Sequence, residues 1–366
     1  FPNKLQDIAV LETAIAENPE GAKAYYYLGC LCYDKLQFEK AAELWEKSIR
    51  LDDGYPTVHR NLALAYYNKQ NDPERAKQEL EKAFALDETD ARVLLELDQL
   101  YKKLGMPFEK RLELYESHKD IITERDDVML EYVTLYNLAG KPEKAYEIIM
   151  SHSFRPWEGA EGRISGQYKI ALLEMAKKDI AAGAYSEAEE KLEKALVYPE
   201  NLGEGKLEGT KDNNLYYYLG LVKEALGKEG AEECFHLAVL GDNEPAGAMY
   251  YYDQPADMIL YKGLAKQKLG KTKEAHACFN KLMDYGERHL NDVVKNDFFA
   301  VSLPDFLIFE DDMDKRNKAH CYYLMGLANL GMGQKEKAVE EFDKALEYDF
   351  NHQNCRIYKE LAKGEL

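Results

Sequence analysis

The sequence predicts an all-α fold, an α-α superhelix in which antiparallel helix pairs stack into one solenoid. Three observations carry this. Apolar residues recur three, four and seven apart along most of the chain, which is the period of one helix face. The plan of a single stretch, Ala319–Asn351, two amphipathic helices with a glycine between them, returns again and again. The return has a fixed length: equivalent leucines, Leu28 and Leu62, lie 34 residues apart.

In Ala319–Asn351 the first helix sets Tyr322, Met325 and Gly326 on one face. Gly333 then ends it, since a residue without Cβ takes the left-handed conformation that satisfies terminal carbonyls. The second helix turns Ala338, Phe342 and Ala345 inward. Small residues let the two helices approach, and Phe342 fills the space that remains.

From the N-terminus, Leu5–Asn18 reads as a second helix whose first helix is missing, with Ile8, Leu11 and Ile15 as an uncovered apolar face. Together with an opening Phe1, this leads us to expect a piece of a longer protein. Eight repeats follow, over residues 22–55, 56–90, 91–125, 126–153, 169–200, 213–242, 256–289 and 319–351 of the 366-residue chain. Asp72-Pro73 marks a helix start by an N-cap followed by proline in the first turn. The third repeat departs from type, with Lys110 and Arg111 where alanine is expected. Ser186-Glu187-Ala188-Glu189 reads as a capping box. Three insertions interrupt the period, at 154–168, 198–214 and 290–318. Gln353–Lys363 is expected as a solvating end helix, because terminal units of a stack need a polar outer face.

Charge and motifs narrow the function. A formal net charge of −19 repels phosphate backbones and anionic lipid heads, so nucleic acid and membrane surfaces are not expected partners. No apolar run reaches the ~18–20 residues of a membrane span. Six cysteines without a CxxC spacing, mostly at small apolar core positions, suit a reducing, cytoplasmic compartment. The glycine-rich GEGKLEGT places Lys206 as a phosphate loop would, but leucine follows it and no strand precedes it. Eight histidines lack HxxxH or HExxH spacing, and neither a GxSxG nor a Cys/His pairing appears, so no metal, cofactor or catalytic residue is expected.

The 34-residue helix-turn-helix plan resembles the tetratricopeptide repeat. That resemblance implies a right-handed solenoid and a non-enzymatic scaffold that mediates protein–protein interaction by taking a protein or peptide partner on the concave side lined by first helices. The matching groove positions include Tyr26, Cys30, Tyr33, Arg60, Leu64, Tyr67, Arg92, Gln99, Tyr217, Leu221, Leu260, Leu264, Tyr323 and Leu327. Members that grip a C-terminal carboxylate use lysines, asparagines and an arginine at set positions. Here Tyr26, Cys30, Asn61, Arg92 and Glu96 stand there, and only Asn61 and Arg92 fit, so that mode is set aside.

The segments PWEGAEGRISGQY, YPENLGEGKLEG, DQPADM and FFAVSLPDFLIFEDDMDKRN are similar to the repeat tails of bacterial multidomain proteins. In those proteins an uncharacterised β-sandwich domain lies upstream in a carbohydrate-related setting. The resemblance covers Phe154 to Asn351 and suggests two roles: docking the protein's own upstream domain, or serving as an accessory module whose loops complete a glycan-binding site. The insertions supply stacking and hydrogen-bonding groups for either, namely Arg155, Trp157, Glu158, Glu161, Arg163, Asn201, Glu204 and Asp305. Equivalent edges of stacked units lie on one side, so the three insertions are expected to converge. Phe298–Phe309, rich in aromatic and aliphatic residues, is expected to fold back onto the stack.

Overall fold

The computed structural model describes residues 2–155, 157, 160–247, 254–294 and 308–364. Among these, nineteen α-helices and one 3-10 turn account for the regular structure, and no strand is present. They group into two compact units, one of residues up to Met129 together with the short segment ending at Asp311, the other of the remainder.

The first unit contains α1 (Gln6–Glu17), α2 (Ala22–Asp34), α3 (Phe38–Leu51), α4 (Pro56–Gln70), α5 (Pro73–Leu86), α6 (Ala91–Lys103), α7 (Phe108–Ser117) and the single turn α8 (Lys119–Ile122). α2 packs on α3, α4 on α5 and α3 on α4, so each helix pair buries a face against the next. The inner seam depends on glycine. A Cβ on Gly29 would sit 2.5 Å from the Trp45 indole nitrogen, so the ring lies where only a bare backbone leaves room. The indole N–H donates to the Tyr26 carbonyl at 3.2 Å. Asp72 caps α5 as expected, its carboxylate accepting from the Arg75 backbone N–H at 3.1 Å. On α1, Leu11 is buried against α2 and Ile8 and Ile15 are half-buried, whereas Leu5 and Val10 are exposed.

The irregular third repeat has a specific cause. Arg111 of α7 makes a two-pronged ion pair with Asp98 of α6, both contacts at 2.7 Å. Asp98 occupies the place that Gly29 holds in α2, and both charges are buried to 1% exposure or less. A paired guanidinium and carboxylate therefore fill the seam that glycine and an aromatic ring fill elsewhere. Burial of this kind is tolerated only because both charges are matched.

The second unit takes up most of α9 (Asp126–Leu138), whose first turn belongs to the first unit, and α10 (Pro142–Ser151), α11 (Arg163–Ala181), α12 (Tyr185–Ala195), α13 (Asn213–Leu226), α14 (Ala231–Ala238), α15 (Asp257–Lys268), α16 (Thr272–His289), α17 (Met313–Gly331), α18 (Lys335–Tyr348) and α19 (Gln353–Lys363). Gly326 lies against Phe342 as Gly29 does against Trp45, with 2.4 Å to an added Cβ, and Phe342 is fully buried. Gly333 turns the chain at φ +75°. The capping box at Ser186 is not used. α12 begins at Tyr185 with Ala184 at the N-cap and no side-chain cap, because Gly183 at φ +74° already turns the chain one residue earlier. The end helix also differs from expectation. α19 is not merely a solvated cover: Cys355, Tyr358 and Ala362 are buried, and Tyr358 donates to Asp257 of α15 at 2.7 Å. Its residue spacing of three and four makes one apolar stripe, which it turns toward α17 and α18. No described helix is long and apolar enough to cross a membrane.

Candidate functional site

In the first unit, the first helices α2, α4 and α6 present the expected groove positions side by side. Tyr26 is buried between Tyr27 and Tyr55, at ring separations of 5.1 and 4.9 Å. Tyr33 at the end of α2 packs on Phe38 and Trp45. Arg60 of α4 reaches across to Glu96 of α6 with contacts of 2.6 and 2.7 Å, and Arg92 adds a third at 2.9 Å. The buried Glu96 carboxylate thus ties α6 to α4 through Arg60 and pairs with Arg92 on its own helix, both arginines still partly exposed. Asn61 points to the Cys30 sulfur at 3.6 Å, where burial pushes the thiol upward from its usual range.

The far end of this face holds a piece of the chain itself. Residues 308–311, the described end of the third insertion, lie against α4 and α6 of the same unit. The Asn68 side-chain amide donates to the Ile308 carbonyl at 2.8 Å, and its oxygen accepts from the Glu310 backbone N–H at 2.8 Å. Between these two bonds Phe309 is 1% exposed, meeting Tyr67 edge-on at 5.1 Å. Lys69 forms an ion pair with Glu310, and Lys103 one with Asp311 at 3.1 Å. The Glu310 carboxylate holds the Lys69 ammonium above its ordinary range. Tyr67, the segment ending at Phe309 and the acidic run from Glu310 to Asp312 stand out in the sequence, whereas Asn68, Lys69 and Lys103 do not. Asn68 and Lys103 are four residues beyond Leu64 and Gln99, on the same helix faces, so the periodicity that marked the groove could have found them.

The second unit treats its groove differently. Tyr217 packs on Tyr218 and Tyr261, and Tyr323 on Phe342, His352 and Tyr358. Tyr218, Tyr261, Tyr323 and Tyr358 are all buried, with burial raising their hydroxyls above the usual range. Burial also raises Asp257, whose one oxygen accepts from Tyr358. With α19 seated there, Tyr323 is a packing residue under a covered face, whereas Tyr217 is half-buried against Tyr218 and Tyr261.

The first two insertions are joined. Asn201 donates to the carbonyls of Ile149 at 2.8 Å and His152 at 2.9 Å, and its own carbonyl accepts from the Phe154 N–H at 2.8 Å. Both Glu204 oxygens accept backbone N–H groups, Gly162 at 2.8 Å and Ser165 at 3.0 Å, so this carboxylate caps α11 from the neighbouring loop. Lys206, the residue of the glycine-rich motif, donates to the Leu196 carbonyl and pairs with the buried Asp212, as does Lys169. Arg163 pairs with Glu131 at 3.2 Å. Trp157 is half-buried, and Arg155 and Glu161 are exposed. Beside the joined loops lies an open cavity of about 470 Å³ lined by Tyr168, Glu190, Glu193, Lys194, Val197 and Pro199. Glu158 and Asp305 lie outside the described residues, as does most of Phe298–Phe309.

Sequence comparison identifies the repeats directly. Models of the tetratricopeptide repeat match residues 22–55, 60–90 and 319–352, so the chain carries tetratricopeptide repeats. Several solved structures are similar. YrrB, described as a tetratricopeptide repeat protein with an unusual peptide-binding site, is 17% identical and covers 51% of this chain and 90% of its own, at a TM-score of 0.38. A tetratricopeptide repeat protein from Parabacteroides merdae is 14% identical, covering 93% of this chain and 98% of its own at 0.43. Naa15/Naa10 bound to HypK-THB is 15% identical, covering 98% of this chain and 58% of its own, also at 0.43. The repeats support a protein-interaction scaffold as the class of function.

Proposed function

We propose that the chain is a protein-binding scaffold whose partner docks a non-helical segment on the α2–α4–α6 face of the first unit, at Tyr33, Arg60, Tyr67, Asn68 and Arg92. One observation carries this reading: the Asn68 amide already bonds a main-chain carbonyl and a main-chain N–H two residues apart. An amide that pairs with backbone recognises a peptide as such, and pockets beside it supply selectivity. Tyrosine, arginine and asparagine side by side also make a surface suited to protein contacts.

The joined insertions are the competing site, and their chemistry points away from recognition. Asn201 and both oxygens of Glu204 are consumed in holding backbone. Selection of peptides from a display library against the whole chain tests the proposal. Enriched peptides should lose binding to Asn68→Ala and keep it for the double variant Trp157→Ala, Arg163→Ala. Loss that follows the double variant and spares Asn68→Ala would move the site to the loops.

A further inference from the structure

We infer that the α4–α6 end of this face reads a specific chemistry, an aromatic residue followed by carboxylates, and that Ile308–Asp311 is an internal ligand competing in cis with any partner. The inference rests on the proposed peptide-docking role of this face and adds what the docked segment must carry and how access to it is controlled.

Three features of the contact support it. First, Asn68 spans one residue, accepting from Glu310 N–H and donating to the Ile308 carbonyl, so it fixes where that residue's side chain enters. Second, the residue so placed is Phe309, whose ring is 1% exposed against Tyr67. A fully buried phenylalanine removes more apolar surface from water than any other group in the contact, so this ring is its anchor. Third, the two residues after it meet one lysine each, Glu310 with Lys69 and Asp311 with Lys103. The protein as a whole carries −19, yet cations stand at this end of the groove. Lys69 is further held by the Phe38 ring at 5.0 Å, which keeps its charge near the groove end.

The anchor, backbone clamp and charges form a reading frame in which aromatic, acidic and acidic residues follow in order. The Glu310 side chain is 62% exposed, so its pairing is solvent-screened and adds selectivity more than strength. A partner segment with the same order meets the same groups, and only one segment can hold Asn68 at a time. The internal segment is therefore a regulator: a partner gains access in proportion to the fraction of molecules whose site is empty.

The test uses the whole chain and a fluorescent peptide of sequence LIFEDDM, residues 307–313, with binding read by anisotropy. Wild type should bind weakly. Phe309→Ala should tighten binding of the added peptide by roughly tenfold, as expected if the site is about nine-tenths filled in cis, and independently Glu310→Lys, which removes only a solvent-screened pair, should tighten it by about two- to threefold. Adding Asn68→Ala to either variant should abolish the gain, and a peptide with alanine for phenylalanine should not compete. Circular dichroism confirms that both variants keep wild-type helix content, and Glu310→Lys decides if Phe309→Ala does not.

Equal affinity for wild type and both variants would overturn the internal-ligand role. No binding of LIFEDDM to any variant, while library-selected peptides bind in an Asn68-dependent way, would overturn the aromatic–acidic chemistry and leave the docking role intact. Failure of both kinds of peptide would remove both proposals.

Discussion

At the scale of single residues, two buried groups show how charge is kept inside these repeats. Arg111 and Asp98 replace the small residues of the seam, and removing one strands the other. Arg111→Ala should cost roughly 3–5 kcal/mol, whereas the double variant Asp98→Ala, Arg111→Ala should recover most of that loss. Thermal unfolding of the single and double variants checks this, and an additive double variant would contradict it. The sequence showed Arg111 as an anomaly, but its counter-charge was disguised as an ordinary acidic residue in a helix. His59 is the second case. Its two ring nitrogens face acceptors, Glu79 at 2.6 Å and the Asp53 carbonyl at 3.1 Å, a pairing only the doubly protonated ring satisfies. Burial pulls its pKa down, but the Glu79 carboxylate and Asp53 carbonyl outweigh that and leave it above the usual 6.5. A raised pKa means the ring's contribution to stability is complete below about 6.5 and is lost as pH rises through the raised value. The melting temperature of wild type should therefore fall more steeply above pH 6.5 than that of His59→Gln; parallel curves would show the ring is not charged in the fold.

At the scale of elements, close approach decides more than propensity does. Replacing Gly326 by alanine gains about 1 kcal/mol of helix propensity. The new methyl would lie 2.4 Å from the Phe342 ring, however, and overpacking costs about 1–3 kcal/mol, so the net change should be a loss. Phe342→Leu in the same chain should return part of it, which a double-mutant cycle measures. This seam was legible because a glycine and an aromatic recur at the repeat spacing. The loop junction was less so: Asn201 and Glu204 were visible as polar residues in an insertion, but nothing local says that they face backbone rather than ligand. Glu204→Ala removes the carboxylate that caps Gly162 and Ser165 and should destabilise the chain by about 0.5–2 kcal/mol, as loss of a helix cap does. An unchanged melting temperature would return these carboxylate oxygens to the list of recognition groups. α19 was misread for a related reason, since its amphipathic stripe shows that it packs but not on which face.

At the scale of the whole molecule, the helix-pair plan was legible from periodicity, because every pair solves the same packing problem with the same few residues. The choice among recognition surfaces was not, because it depends on which grooves the chain fills for itself. A tyrosine at position 323 and one at position 67 look alike in sequence; one lies under α19, the other beside Phe309. In the proposed function Asn68, and not the joined loops, receives the partner. It is tested most directly by the side-chain amide resonances of a chain labelled with ¹⁵N-asparagine, assigned with Asn68→Gln and Asn201→Gln and titrated with a library-selected peptide. The Asn68 amide should shift saturably while Asn201 stays fixed. A saturable shift of Asn201 with Asn68 unmoved would contradict it.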